Sequence, residues 1–389
     1  MAAPIRITIY GPDLQPRFVL GEPSKASAAM RWHSKATATF TLPWDHPRID
    51  DVLQPGVVGA MDYFVGDSYA DYADPAKWRR LVNGPIWDIT GEGPSINGVA
   101  TFTISDALWV LMDGTLAWPN PTLPVTGQTS EYRVISGPLE TVTKTLLREN
   151  ALTRLGNPIT VETSSGRGAT VSLSLRFDRL SDALQSALMA DDFGLTATLR
   201  GGVYAVEAWT PVDRSARVVT EATGMLTDWQ LARSGPVATR AVAGGAGTGT
   251  ARVMGSAVDA ATEAAWGLKL EVYTGDNSTD LDTTAEVDAV AQAKLDESLA
   301  TAGVSAELAE VGWLRYGRDL WLGDIITVAP TPELTVTDRI TSCTITYDVE
   351  DGLLVIPTVG DDSIEQGVNA PMVAAITKMA RSIRKRETR

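Results

Sequence analysis

A mainly β protein with α/β insertions is the fold class this sequence predicts, and three observations predict it. Tyr316–Val328, YGRDLWLGDIITV, runs an aromatic-polar lead into a Leu-Gly-Asp turn and then into a β-branched strand, the order of a barrel corner. Ile5, Ile7 and Ile9 alternate with polar residues, as does ATATFTL over Ala36–Leu42, the period of half-buried strands. Asn97-Gly98 stands between GEGPSI and VATFTI, a strong hairpin signal because both turn residues tolerate positive φ.

Each element follows in order. Residues 1–115 read as one strand-rich domain. Six of the eleven tryptophans (Trp32, Trp44, Trp78, Trp87, Trp109, Trp118) fall in the first 118 residues, enough packing area for a core of its own. The Pro- and Gly-containing stretch Trp118–Gly127 reads as a connection. Residues 116–222 mix helix and strand: Val142, Leu146 and Leu147 mark a helix near 140–151. Leu180, Leu184 and Leu188 mark another, stopped by Gly194, and LTATL, Arg200-Gly201-Gly202 and VYAVEAW form a hairpin. Residues 223–365 return to strands. Their one clear helix is Ala285–Ala302, with Thr283 and Glu286 at capping-box spacing, one apolar face (Val287, Val290, Ala291, Leu295, Leu299) and Gly303 as its stop. Asp351-Gly352 joins two later strands, and Cys343, Ile345, Tyr347 and Val349 alternate on a core face. In 366–389, Met372, Ile376, Met379 and Ile383 are spaced 4-3-4, a helix seam that fits either the chain's own domain or a second subunit.

Hydrophobic residues make up 44% and mean hydropathy is −0.01, values of a globular chain. The net charge is −15 and the pI about 4.6, a surface that repels nucleic acid and anionic membrane. Lys378, Arg381, Arg384, Lys385, Arg386 and Arg389 against Glu387 give the last segment +5, so the remaining chain carries −20. The single cysteine excludes an intrachain disulfide and Cys-cluster metal sites. MAAPIRITIY is not a signal peptide, and no apolar run reaches 18 residues, so no membrane span is expected.

Candidate chemistry is sparse. Gly66-Asp67-Ser68 looks like an esterase nucleophile block, but the two histidines, His33 and His46, lie upstream, so a surface loop is the better reading. Gly244–Gly249 lacks the Gly-Lys-Ser/Thr of a phosphate loop and the third glycine of a dinucleotide fingerprint. Asp276, Ser278, Asp280 and Asp282 begin like a calcium loop, but Leu281 and Val287 replace its glycine and bidentate acid. The pairs Asp191-Asp192 and Asp361-Asp362 suit a glycosidase only if they face one cleft. No catalytic residue, cofactor or metal ligand is assigned. Gly323 and Asp324 are the residues expected to hold the corner.

These pieces, in order, resemble one family: minor tail proteins of long-tailed phages of actinobacterial and other Gram-positive hosts, related to baseplate hub proteins. The matching segments are LPWDHPRIDDVLQPG (42–56), NGPIWDIT (83–90), NGVATFTISDALWVL (97–111), WTPVDRSARVVTEATGML (209–226), ATRAVAGGAGTGTAR (238–252) and YGRDLWLGDIITV (316–328), covering about 35–360. Departures are Thr239-Arg240 where the family often has Asn, and Asp319-Leu320 where it often has Asp-Tyr. The resemblance implies two hub-type β-barrels, at 1–115 and 223–365, separated by the α/β insertion at 116–222 and followed by a basic C-terminal helix. It implies a homotrimeric ring at the tail tip of the virion, adapting a sixfold tube to threefold parts and leaving a channel for DNA. Its partners would be a distal tail protein or tail tube ring, a tape-measure protein and receptor-binding proteins. Part of the −20 body is expected to line the channel, and the basic tail with Arg384, Lys385 and Arg386 to dock on an acidic neighbour. The alternatives are a carbohydrate-binding tail protein and, lacking His and Cys chemistry, a cell-wall hydrolase.

Overall fold

The computed structural model describes residues 4–360, apart from positions 21–22, 95, 234, 276–282, 299–301, 310–313, 333 and 351. Met372, Ile376, Met379, Ile383, Arg384, Lys385 and Arg386 lie outside the described residues, as do Asp276, Ser278, Asp280, Asp282, Asp361 and Asp362. The chain divides into two compact units. One holds Met1–Thr227, Glu307–Thr327 and Thr337–Val359; the other holds Asp228–Ala306, Val328–Val336 and Gly360–Arg389.

In the first unit, β1 (Ile5–Tyr10), β2 (Pro16–Leu20), β3 (Lys25–Arg31) and β4 (Thr37–Pro43) precede the one-turn helix α1 (Ile49–Val52). Then come β5 (Val58–Phe64), β6 (Trp78–Glu92), β7 (Val99–Ser105) and helix α2 (Ala107–Asp113). The alternation in β1 and β4 buries Ile5, Ile7, Ile9, Ala38, Phe40 and Leu42, as the period predicts. Strands β6 and β7 pair from Glu92↔Val99, so Asn97-Gly98 sits in the predicted hairpin turn. Strand β6 is long and bent. Its first half pairs β5 and its second half pairs β7, with register shifts at Met61/Asp62 and Ile86/Asp88. Gly84 lies at the bend with φ +155°, and a Cβ there would collide with the Ser105 carbonyl. The bend folds the sheet over one core, which Phe40 and Phe102 fill as a stacked pair 5.1 Å apart.

The insertion contains β8 (Leu116–Ala117), β9 (Arg133–Pro138), α3 (Leu139–Leu146), β10 (Ile159–Val161), β11 (Thr170–Leu175), β12 (Asp178–Arg179), α4 (Leu180–Met189), β13 (Gly194–Arg200) and β14 (Val203–Trp209). The predicted helices are present with Val142, Leu146, Leu147, Leu180, Leu184 and Leu188 buried in a second core. Helix α3 runs on through a π-helical turn, Leu147–Arg154. Helix α4 stops at Met189, and Gly194 opens β13 rather than capping the helix. Gly201 and Gly202, both at positive φ, turn the β13–β14 hairpin.

Strands β15 (Asp213–Thr220) and β16 (Leu226–Arg233) lead to the second unit. That unit has a three-stranded sheet of β17 (Arg240–Gly244), β18 (Met254–Val258) and β19 (Glu271–Gly275), ordered β18-β17-β19. Helix α5 (Ala260–Trp266) lies between β18 and β19 in the chain and was not foreseen; Asp259 caps it. Helix α6 (Thr284–Glu297) has the predicted Thr283/Glu286 capping box and buries Val287, Ala291 and Leu295 against Ala241, Ala243 and Ala257. It is shorter than expected. It ends at Glu297, where the Ser298 hydroxyl donates to the Lys294 carbonyl, and Gly303 belongs to β20 (Ala302–Leu308).

The last strands are β21 (Ile325–Thr331), β22 (Leu334–Asp348) and β23 (Gly352–Val359). The largest sheet runs β16-β20-β23-β22-β3-β4-β7-β6-β5-β1-β2, with β21 pairing β22 off that path and β15 pairing β21. The fold is thus mainly β with an α/β insertion, as predicted. Among the described residues the sheet is open rather than a closed barrel, because no pair joins β2 to β16. The core of the N-terminal strands is not theirs alone. Strand β22 pairs β3, and Tyr316, Cys343, Ile345 and Val355 are buried in the same cluster. Val349 falls past the strand and is exposed, and Trp87, expected in the core, is 60% exposed near the hairpin end.

Candidate functional site

The Leu-Gly-Asp corner ties several parts of the first unit together. Tyr316 is fully buried and stacks on Trp321 at 5.0 Å, and its hydroxyl donates to the Met30 sulfur at 3.8 Å. Burial holds the Tyr316 phenol well above its ordinary range. Gly317 donates to the Leu320 carbonyl, and its own carbonyl accepts from Arg79 Nε at 2.9 Å. Gly323 has φ +91°, and its N–H donates to the Ile340 carbonyl at 2.9 Å. A Cβ at this position would collide with the Trp32 ring, so both conformation and space require glycine.

Asp324 is 2% exposed. Its carboxylate accepts from the backbone N–H of Trp321 at 3.0 Å and of Val212 at 2.8 Å, and from Arg214 Nε at 2.8 Å. Its carbonyl accepts from Ile340 N–H. The side chain therefore joins the turn to the start of β15, and the backbone carbonyl ties the same residue to the middle of β22. A carboxylate so engaged acts as a brace between segments.

The other sequence candidates are also tied into structure. Ser68 and Asp71 form a reciprocal cap on a short 3₁₀ turn, and Asp67 pairs with Arg315 and Arg318. His46 Nδ1 accepts from Arg48 N–H, and His33 Nε2 bonds the Phe193 carbonyl at 2.6 Å. Neither histidine serves Ser68. Carbonyls of Gly244 and Gly245 accept from Arg252, the opposite polarity to a phosphate cradle. Asp191 accepts from Ala169 N–H, and Asp192 pairs with Arg339. Among the described residues no group of three or more His, Cys, Asp or Glu side chains is placed to hold a metal ion.

A cavity of about 170 Å³ lies between the sheet wall (Met30–Ala36 and Arg80–Asn83) and the insertion hairpin β13–β14. Polar pins hold its two sides together. Asn83, 6% exposed, donates to the Ala197 carbonyl and accepts from Leu199 N–H, both at 2.7 Å, so one amide mimics a strand edge. His33 supplies the bond to Phe193, from a backbone at φ +43°. Burial lowers the imidazole to about 4, so it is neutral in this contact. Asp106 caps α2 by accepting from Leu108 and Trp109 N–H, and burial raises its carboxyl to about 6. Sequence patterns flag the Asp106 cap, since Asp precedes an apolar run, but not Asn83 or His33, whose partners are 114 and 160 residues away.

Known proteins agree with this architecture. The family described as Siphovirus ReqiPepy6 Gp37-like protein matches residues 6–361. No curated protein matches. Among solved structures, the fold is similar to the 43 kDa tail protein of prophage MuSo2 from Shewanella oneidensis, with 12% identity and a TM-score of 0.56, over 91% of this chain and 97% of that one. It is also similar to a tail protein from Neisseria meningitidis MC58, with 10% identity and a TM-score of 0.54, over 92% and 97%. The chain shares its fold with these phage tail proteins and belongs to the Siphovirus ReqiPepy6 Gp37-like protein family.

Proposed function

We propose that the chain is the hub of a siphovirus tail tip, a homotrimeric ring in which each copy contributes its open β-sheet as a wall. In this reading the ring joins a sixfold tail tube or distal tail ring to threefold parts below and leaves a channel for DNA. The observation that carries the reading is the corner at Gly323 and Asp324, where one buried carboxylate ties the turn to Val212 and Arg214, 112 and 110 residues away. Rigid walls of that kind suit a load-bearing ring and offer nothing to a hydrolase. The −20 body suits a channel wall that does not retain phosphates, and the basic segment 372–389 suits docking on an acidic tape-measure protein or neighbouring copy.

The test is the mass of the purified full chain by native mass spectrometry. Three times the 41.5 kDa chain is expected. A stable monomer at micromolar concentration, unchanged by removal of 372–389, overturns the hub reading. A trimer whose lumen is neutral or basic removes the anionic channel from it.

A further inference from the structure

The cavity beside β13–β14 has a donor set that the protein does not use. The indole N–H groups of Trp32 and Trp209 are both buried with no acceptor among the protein atoms. Two other indoles of the unit are satisfied: Trp44 donates to the Glu92 carbonyl at 2.8 Å and Trp78 to the Tyr72 carbonyl at 3.0 Å. A buried donor left unmet is costly, so two in one cavity call for a physical reason. Both rings line the cavity, with 94% of Trp32 buried (6% exposed). They are also fixed in place. Trp32 stacks under Arg339 at 4.5 Å and meets His33 edge-on at 4.4 Å, Trp209 lies over Gly194, and the two indoles cross edge to face at 6.2 Å.

Size and chemistry then narrow the occupant. A cavity of about 150 Å³ accepts one six-membered carbon ring, and about 170 Å³ is therefore room for a single ring with substituents. The indole donors require acceptors on the ligand. Asp106 on the same wall spends one carboxylate oxygen on the α2 cap, which leaves the other to take a hydroxyl proton. Ser34 and Thr196 add hydroxyls. The lining charges are Arg31, Arg80 and Asp106; Arg80 is spent on Asp62, so Arg31 and Asp106 leave charges of both signs, which disfavour a charged ligand of either kind. Indole faces pack against C–H surfaces.

We propose that this cavity binds a single neutral sugar ring, with Trp32 and Trp209 donating to ligand oxygens and Asp106 accepting from a hydroxyl. The site stands on its own geometry and is independent of the hub reading. A trimer without sugar binding and a sugar-binding monomer are both observable, so each can fail alone.

The experiment uses the full chain labelled with ¹⁵N-tryptophan and titrated with D-glucose, D-galactose and N-acetyl-D-glucosamine, with sodium acetate as the anionic probe. Trp32→Phe and Trp209→Phe assign the two signals. At least one sugar is expected to shift both indole resonances saturably while those of Trp44 and Trp78 stay in place. Trp209→Phe, which keeps the ring and removes the donor, is expected to weaken that sugar roughly fivefold, the size of one hydrogen bond. Asp106→Asn, which retains capping ability, is expected to weaken it similarly. If a Phe variant does not fold, thermal stabilisation of the unaltered chain by the sugar still decides the matter. No saturable shift and no stabilisation with any of the three sugars overturns the proposal, and so does a response to acetate alone.

Discussion

Asp324 in the corner and Glu140 in the insertion are both buried carboxylates, 2% and 0% exposed, yet they brace the fold over very different distances. Asp324 joins its turn to Val212 and Arg214, 112 and 110 residues away. Glu140 accepts from Lys144 Nζ at 2.8 Å, from Arg167, and from the backbone N–H groups of Ser165 and Arg167, 25 and 27 residues away. Desolvation alone would raise the Glu140 carboxyl, but these donors hold it down at about 2. The first carboxylate closes a sheet across the chain, and the second staples one loop to one helix. Loss of the first should be felt globally, loss of the second locally.

The largest effect should come from the corner's glycine. Gly323→Val forces a β-branched residue to φ +91° and drives its side chain into Trp32. Left-handed strain and overpacking together should destabilise by roughly 3–5 kcal/mol. Urea unfolding of the soluble fraction measures it, and a value within about 1 kcal/mol of the parent chain would mean the corner relaxes freely.

Next come the two carboxylates. Asp324→Ala strands two backbone N–H groups and Arg214, and Glu140→Ala strands the Lys144 ammonium, which is 2% exposed. Each should cost about 3 kcal/mol. Hydrogen exchange separates them. Asp324→Ala is expected to lose protection in β15, β21 and the middle of β22, whereas Glu140→Ala loses it only within 139–175. The double change Glu140→Leu with Lys144→Met should recover most of the stability, since it removes both charges. Equal spread of exchange in both single variants would erase the distinction drawn here.

Legibility in the sequence follows the same division. The corner was readable because Gly-Asp ahead of Ile325 and Ile326 is a local signal. So were the alternation of β1 and β4, the Asn97-Gly98 and Gly201-Gly202 turns, and the Thr283 cap. Glu140 and Lys144 were not, because an i,i+4 Glu–Lys pair on a helix ordinarily faces water, and only the loop at 163–167 buries it. Completion of the N-terminal core by Tyr316, Cys343 and Ile345 was hidden for a related reason. Alternation places a residue on a core face but does not say which core. Helix α5 escaped because AATEAAW has alanines where a periodic apolar stripe would stand, and Trp87 because it sits at the register shift between Ile86 and Asp88, which interrupts the alternation. The cavity side chains depend on β13 meeting β6, a juxtaposition no spacing encodes.

The smallest effect lies in that cavity, where two groups titrate with opposite sign. His33 has an ordinary value of 6.5 and a folded value of about 4. As pH falls through that window the unfolded chain gains a proton that the folded chain refuses, so stability drops. Asp106 has an ordinary value of 3.8 and a folded value of about 6, so as pH falls through its window the folded chain gains the proton first and stability rises. Between pH 6 and 4.5 the two slopes nearly cancel, and the parent chain should show an almost flat urea midpoint. Below 4.5 the Glu140 staple begins to weaken, which bounds the window from beneath. Asp106→Asn keeps the cap and removes one slope, so its stability should fall by about 2 kcal/mol from pH 6 to 4.5. His33→Asn, with a residue that tolerates φ +43°, should tilt the other way over the same range. Parallel pH profiles for the parent and Asp106→Asn would show that the carboxyl is already ionised throughout, and with that the cavity would be as wet as the surface.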